Sequence, residues 1–119
     1  MRATTGLSVY VAEVEDAVVG TASAIVMPNL TYRCAPTLFV EAVVVRPSHR
    51  RRGIASAMLR RILSDARSAG CNKVQLLSHK RHASDGAHRL YSSVGFEPEA
   101  EGFRLYLGER PVHGAAGVT

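Results

Sequence analysis

Cysteine is scarce in this chain of 119 residues, which carries only Cys34 and Cys71. Two thiols are too few for a disulfide framework and lack metal-site spacing, so incidental or buried thiols in a reducing compartment are expected. Long apolar runs are missing as well. No stretch reaches the roughly 18 residues of a membrane span, and the N-terminus lacks a signal-peptide layout, which predicts a cytoplasmic protein with no membrane partner. There is no internal repeat and no low-complexity tract. Only the end of the chain, about 110–119, is small, Gly-rich and without periodicity, and it is expected to be flexible. Acidic residues are absent from one interval. None falls between Glu41 and Asp65, whereas Arg46, Arg50, Arg51, Arg52, Arg60 and Arg61 all do.

What is present is ordinary for a soluble globular protein, with 46% apolar and 21% charged residues. The length suits a single domain over 1–119 with one core. A net charge of +5 favours anionic partners. "LSVYVAEVED" (7–16) alternates and is rich in β-branched residues, so it predicts a strand. Asp16-Ala17 reads as the turn to a second strand over 18–27, and Pro28-Asn29 ends the hairpin. "TLFVEAVVV" (37–45) is a nearly continuous apolar run, as in a strand buried on both faces, and Arg46-Pro47 closes it.

From Ile54 the period changes to 3.6. Ile54, Met58, Ile62 and Ala66, flanked by Ala55, Leu59 and Leu63, form one apolar stripe, with Gly70 where a helix ends. "NKVQLLS" (72–78) is another short strand. "SDGAHRLYSSV" (84–94) predicts a helix capped by Ser84 or Asp85 and closed by Gly95. "GFEPEAEGFRLYL" (95–107) predicts a last pair of strands. The order β-β-β-α-β-α-β-β implies an α/β architecture with a mixed sheet and helices packed on it.

The stretch "SHRRRGIASAMLRR" (48–61) lies between a buried strand and an amphipathic helix. The first turn of a helix leaves N–H groups unpaired and carries the positive end of the macrodipole, so it suits an anion. Gly53 lets a phosphate approach the backbone with no Cβ in the way, and Ala55 keeps that approach open. "RRRGIA" (50–55) fits Arg/Gln-x-x-Gly-x-Gly/Ala and resembles the acetyl-coenzyme A signature of the GNAT family of N-acetyltransferases. "AHRLYSSVGF" (87–96) is similar to a second family hallmark, Ala-x-x-Leu/Phe-Tyr-x-x-x-Gly-Phe. The similarity extends over roughly 7–107, with a motif core at about 37–107.

The resemblance implies a mixed, mostly antiparallel sheet flanked by helices, with acetyl-CoA as acyl donor and no metal. It implies that backbone groups of Val43, Val44 and Val45 pair with the pantetheine arm. It also implies that N–H groups of Arg51, Arg52, Gly53, Ile54, Ala55 and Ser56, with Arg50 beside them, cradle the pyrophosphate. Parting of strand 37–45 from strand 72–78 would open the cleft for the thioester. Tyr91 matches the tyrosine that protonates the departing thiolate and also touches the donor, and Glu41 matches an acidic position that deprotonates the amine. An ammonium must lose a proton before it attacks, and a carboxylate buried in an apolar strand would be a stronger base. The implied reaction is direct attack of a primary amine on the bound thioester, without an acyl-enzyme.

Two departures stand beside the match. Ser84 occupies a place where many members carry asparagine, and serine still offers one hydrogen bond to the donor. Family members usually begin with another strand and one or two helices, whereas this chain starts at about the second strand. A partner subunit, as in a homodimer, supplies that wall, or the acceptor site is open and large, or the sequence is incomplete. The acceptor is expected to be a small-molecule amine: an amino sugar phosphate, a polyamine or an antibiotic amine. Two other readings are a non-catalytic acetyl-CoA sensor and a nucleic-acid-binding module built on Arg46 to Arg61. Against the second, no aromatic stacking residue lies between the arginines. No metal site is read from the histidines at 49, 79, 82, 88 and 113, and neither cysteine has a base argued beside it.

Overall fold

Alternating β-branched residues build the first two elements. In the computed structural model, which describes residues 6–28, 32–78 and 86–110, β1 (Leu7–Val14) and β2 (Ala17–Met27) form an antiparallel hairpin. Its turn is Glu15-Asp16, one residue before the expected Asp16-Ala17, because both residues take positive φ (50° and 65°) while Val14 pairs with Ala17. Two left-handed residues match the twist of the flanking strands. β3 (Thr37–Val45) runs antiparallel to β2 and has the predicted bounds. β4 (Lys73–Leu76) is parallel to β3 and ends the order β1-β2-β3-β4.

A parallel pair needs a crossover, and α1 (Ile54–Ser68) supplies it. Its predicted stripe is the buried one: Leu59 and Ile62 have no exposed surface, and Met58 and Ala66 are buried beside them. Small residues on β2 let the helix sit close, with Ala22 and Ala24 in the same core. At Gly20 a Cβ would lie 3.1 Å from Met58 Cε and 3.2 Å from Ile54 Cγ2, so a larger residue there would make the helix side chains give way slightly. α2 (Ala87–Ser93) adds Ala87 and Tyr91 to that core.

Both helices end in the same way. Gly70 (φ 77°) donates to the Arg67 carbonyl and Cys71 to that of Ala66; Gly95 (φ 106°) donates to Ser92 and Phe96 to Tyr91. This is the Schellman closure, which needs a left-handed residue at C′ and favours an apolar contact between C″ and C3. In α2 that contact is Phe96 edge-on to Tyr91, with ring centroids 6.2 Å apart. The Tyr-x-x-x-Gly-Phe pattern is thus a helix-closing device as well as a motif.

Three expectations change. The helix over 84–94 is shorter and has Gly86 (φ 98°) at its N-cap, and Ser84 and Asp85 lie outside the described residues. The pair of strands expected over 95–107 is absent: residues 97–106 have no regular structure. The Phe103-Leu105-Leu107 alternation has strand period, but a strand needs a neighbour, and these side chains are 89%, 84% and 95% exposed. β3 is not buried on both faces. Glu41 and Ala42 are exposed, because α1 covers only one face of the sheet and no described element lies over Glu41.

Candidate functional site

The loop from β3 to α1 is fixed along its first half. Arg46 N–H donates to the Val19 carbonyl (2.7 Å), His49 to that of Arg46 (2.9 Å) and Arg50 to that of Pro47 (3.4 Å). The Arg50 guanidinium turns back, and its Nε donates to the Val45 carbonyl (3.2 Å). Past this point the pattern changes. Arg51 (φ 63°) and Gly53 (φ 78°) are both left-handed, and Gly53 is the N-cap of α1 with no side-chain cap. The first helical amide with a partner is Ala57, which donates to the Gly53 carbonyl (3.0 Å). Among the described residues, no protein group accepts from the amides of Arg51 to Ser56.

Uncapped amides at a helix N-terminus attract anions, and here the approach is open. A Cβ placed on Gly53 would meet nothing within 4 Å. Arg51 and Arg52 are exposed on either side of the turn. The arginine cluster is therefore divided in role: Arg50 ties the loop, Arg61 pairs with Asp65 (3.3 Å), and Arg46, Arg51, Arg52 and Arg60 face solvent.

Beside this loop β3 bends. Two steps along β2, from Thr21 to Ser23, face three along β3, from Val44 to Glu41, and Ala42 takes φ 52° within the bulge. A bulge adds one unpaired residue and turns the strand. β4 accompanies β3 only from Thr37 to Val40 and ends at Leu76, so the β3 edge at 41–45 has no described strand beside it there. Nothing in the sequence marked the bulge, since alanine gives no sign of a left-handed residue. Val43 and Val45 send buried side chains into the core and Val44 is half-buried. The Val45 carbonyl is already engaged by Arg50, which restricts the backbone role expected for that residue.

The two expected catalytic residues differ in setting. Glu41 pairs in register with Ser23 and is exposed. The burial that an apolar strand implied for it does not exist. Tyr91 is 6% exposed and packed in the core, so the same side chain serves as core aromatic and as motif residue. A further polar pair was not anticipated: Tyr10 of β1 donates to Asp65 Oδ2 of α1 at 2.7 Å. Burial, then the hydrogen bond to the Asp65 carboxylate and its negative charge, push the Tyr10 phenol up to about 12.

The chain matches the Acetyltransferase (GNAT) family over residues 2–96. It belongs to the GNAT family. The match takes in β1 to β4 and both helices, and ends at Phe96, the residue that closes α2. The chain is 33% identical over 90 residues to a Trypanosoma brucei brucei glucosamine 6-phosphate N-acetyltransferase, covering 76% of this chain and 58% of that one. It is 36% identical over 98 residues to human N-acetyltransferase 8, covering 82% and 42%. It therefore spans about half the length of these two relatives. A solved structure, a putative acetyltransferase from Agrobacterium tumefaciens str. C58, superposes with a TM-score of 0.80 at 34% identity, covering 85% of this chain and 69% of that one. GNAT acetyltransferases use acetyl-CoA as donor. The donor's diphosphate suits the spare amides of 51–56, and its extended pantetheine arm suits the β3 edge at 41–45.

Proposed function

We propose that this GNAT chain is an N-acetyltransferase acting in a ternary complex, in which a primary amine attacks the thioester of bound acetyl-CoA directly. The observation that carries this reading is the uncapped turn at Gly53, whose amides from Arg51 to Ser56 meet no protein acceptor among the described residues. Those amides would hold the diphosphate, with Arg51 and Arg52 adding positive charge around it. When bound, acetyl-CoA supplies an acyl group activated by a thiol leaving group.

The chain's own residues then divide the work. Backbone groups of Val43 and Val44 would orient the pantetheine arm. Glu41, exposed at the bulge, would accept the proton that an incoming ammonium must lose, directly or through water. The Tyr91 hydroxyl would donate to the departing sulfur. The acceptor class that fits is a small amine such as an amino sugar phosphate, a polyamine or an antibiotic amine, in the cytoplasm. The basic loop favours a phosphorylated one, and the trypanosomal relative carries such a substrate in its name.

Thiol release from acetyl-CoA, measured across glucosamine 6-phosphate, spermidine and an aminoglycoside, tests the reading. Turnover with one of them is expected. Calorimetry that finds no acetyl-CoA binding would overturn the proposal, and binding without turnover on a wide amine panel would reduce the chain to a sensor.

A further inference from the structure

We infer that Ser23 works with Glu41 to seat the acceptor amine, its hydroxyl passing the ammonium proton to the Glu41 carboxylate. The inference deepens the acetyltransferase reading above and rests on it. Strand register carries it. β2 and β3 run antiparallel, and Ser23 stands directly opposite Glu41 at the last paired step before the bulge. Residues opposed in this way share one face of the sheet, with Cβ atoms about 5 Å apart. A hydroxyl and a carboxylate at that separation can reach the same nitrogen, or each other.

The face they share is the open one. α1 covers the side to which Ala22, Ala24 and Val40 turn, and the strand period of two puts Ser23 and Glu41 on the opposite side. There Glu41 is exposed and Ser23 half-buried. Their neighbours are apolar: Val9 is the register partner of Ser23 on β1, and Ile25 faces Phe39 in the next row. Among the described residues, no group hydrogen-bonds or pairs with either side chain. A carboxylate and a hydroxyl that the fold does not use, side by side in an apolar surface, suit a cation with several N–H donors. The next hydroxyl along β2, Thr21, faces Val44 beyond the bulge and has no carboxylate opposite.

Glu41 also begins the stretch of β3 edge that no described strand flanks, so an amine held between Glu41 and Ser23 would lie next to the donor's arm. In the step itself the ammonium donates one N–H to Ser23 Oγ, while the Ser23 hydroxyl donates to the Glu41 carboxylate. One proton moves from nitrogen to Oγ as the hydroxyl proton moves to the carboxylate. Ser23 is left unchanged, Glu41 protonated and the amine neutral. The freed lone pair forms the N–C bond to the acetyl carbon, and the C–S pair leaves with sulfur, which takes the Tyr91 proton. The second proton that nitrogen sheds restores the Tyr91 hydroxyl through solvent, and Glu41 releases its own to water. The hydroxyl gives the ammonium a second fixed partner, which aims its lone pair.

Thiol release by the full chain tests this, with whichever of glucosamine 6-phosphate, spermidine and an aminoglycoside reacts fastest. Ser23→Ala is expected to lower kcat about ten-fold and to raise the KM of the amine, with the acetyl-CoA affinity and far-ultraviolet dichroism of the parent. Ser23→Thr, which keeps the hydroxyl, should recover most of that loss. Thr21→Val, which removes the neighbouring hydroxyl of the same face, should stay within about two-fold of the parent. The double variant Ser23→Ala/Glu41→Gln should be no slower than Glu41→Gln alone, because each change removes the same proton path. A Ser23→Ala rate equal to the parent's, a loss that Ser23→Thr does not recover, an equal loss in Thr21→Val, or losses that multiply in the double variant would overturn the inference and leave Glu41 as base. A parent chain inactive on a wide amine panel, or a Glu41→Gln rate equal to the parent's, would instead bring down the reading on which it rests.

Discussion

At Gly53 a substitution meets two separate costs. The left-handed backbone (φ 78°) penalises any side chain by about 1 kcal/mol, and the space beyond is where the donor's diphosphate would sit. Gly53→Glu is expected to abolish acetyl-CoA binding while the protein stays folded; unchanged calorimetric affinity would refute the loop's role. Tyr91→Phe keeps the ring packing against Phe96 and removes one hydroxyl. Turnover should fall at least ten-fold with donor affinity nearly constant, and parallel losses in both would return Tyr91 to the core alone. For Glu41, exposure allows contact with solvent and acceptor. Glu41→Gln should lower kcat at least ten-fold with donor affinity nearly constant, and unchanged turnover would assign the proton to another group. Gly53 and Tyr91 were legible from their motifs. Ala42 was not, because its left-handed turn arises from strand pairing rather than from any preference of alanine.

Between elements, the Tyr10–Asp65 hydrogen bond ties the edge strand β1 to α1. The phenol is raised from 10.0 to about 12 in the folded protein, chiefly by burial. A raised value means that folding favours the protonated form. The stabilisation is complete below pH 10, and is lost as pH climbs through about 12. In Tyr10→Phe this alkaline loss of stability should be smaller, as urea denaturation at pH 9 and pH 11.5 would measure; an identical loss in both proteins would sever the link. The strands and helices themselves were readable from periodicity, and the two Gly-closed helix ends from glycine placement. The register shift on β3 and the missing strands after Phe96 were not, since both depend on which neighbour a segment finds.

For the whole molecule, one core joins sheet and helices, and its centre is Leu59 and Ile62. Leu59→Ala should cost about 3 kcal/mol in urea unfolding, the usual loss for a large side chain in a dry core, and a loss below 1 kcal/mol would show that the core collapses around the gap. As far as Phe96, which residues become strand, helix or turn was written mostly in local order: alternation, a 3.6 period, and glycine or proline at the ends. That much follows from sequence because short-range sterics and hydrogen bonds act within a few residues. Where β3 bends, that Glu41 is exposed and that Phe103, Leu105 and Leu107 are exposed were decided in three dimensions. Those outcomes depend on contacts between residues far apart along the chain, which no local pattern encodes.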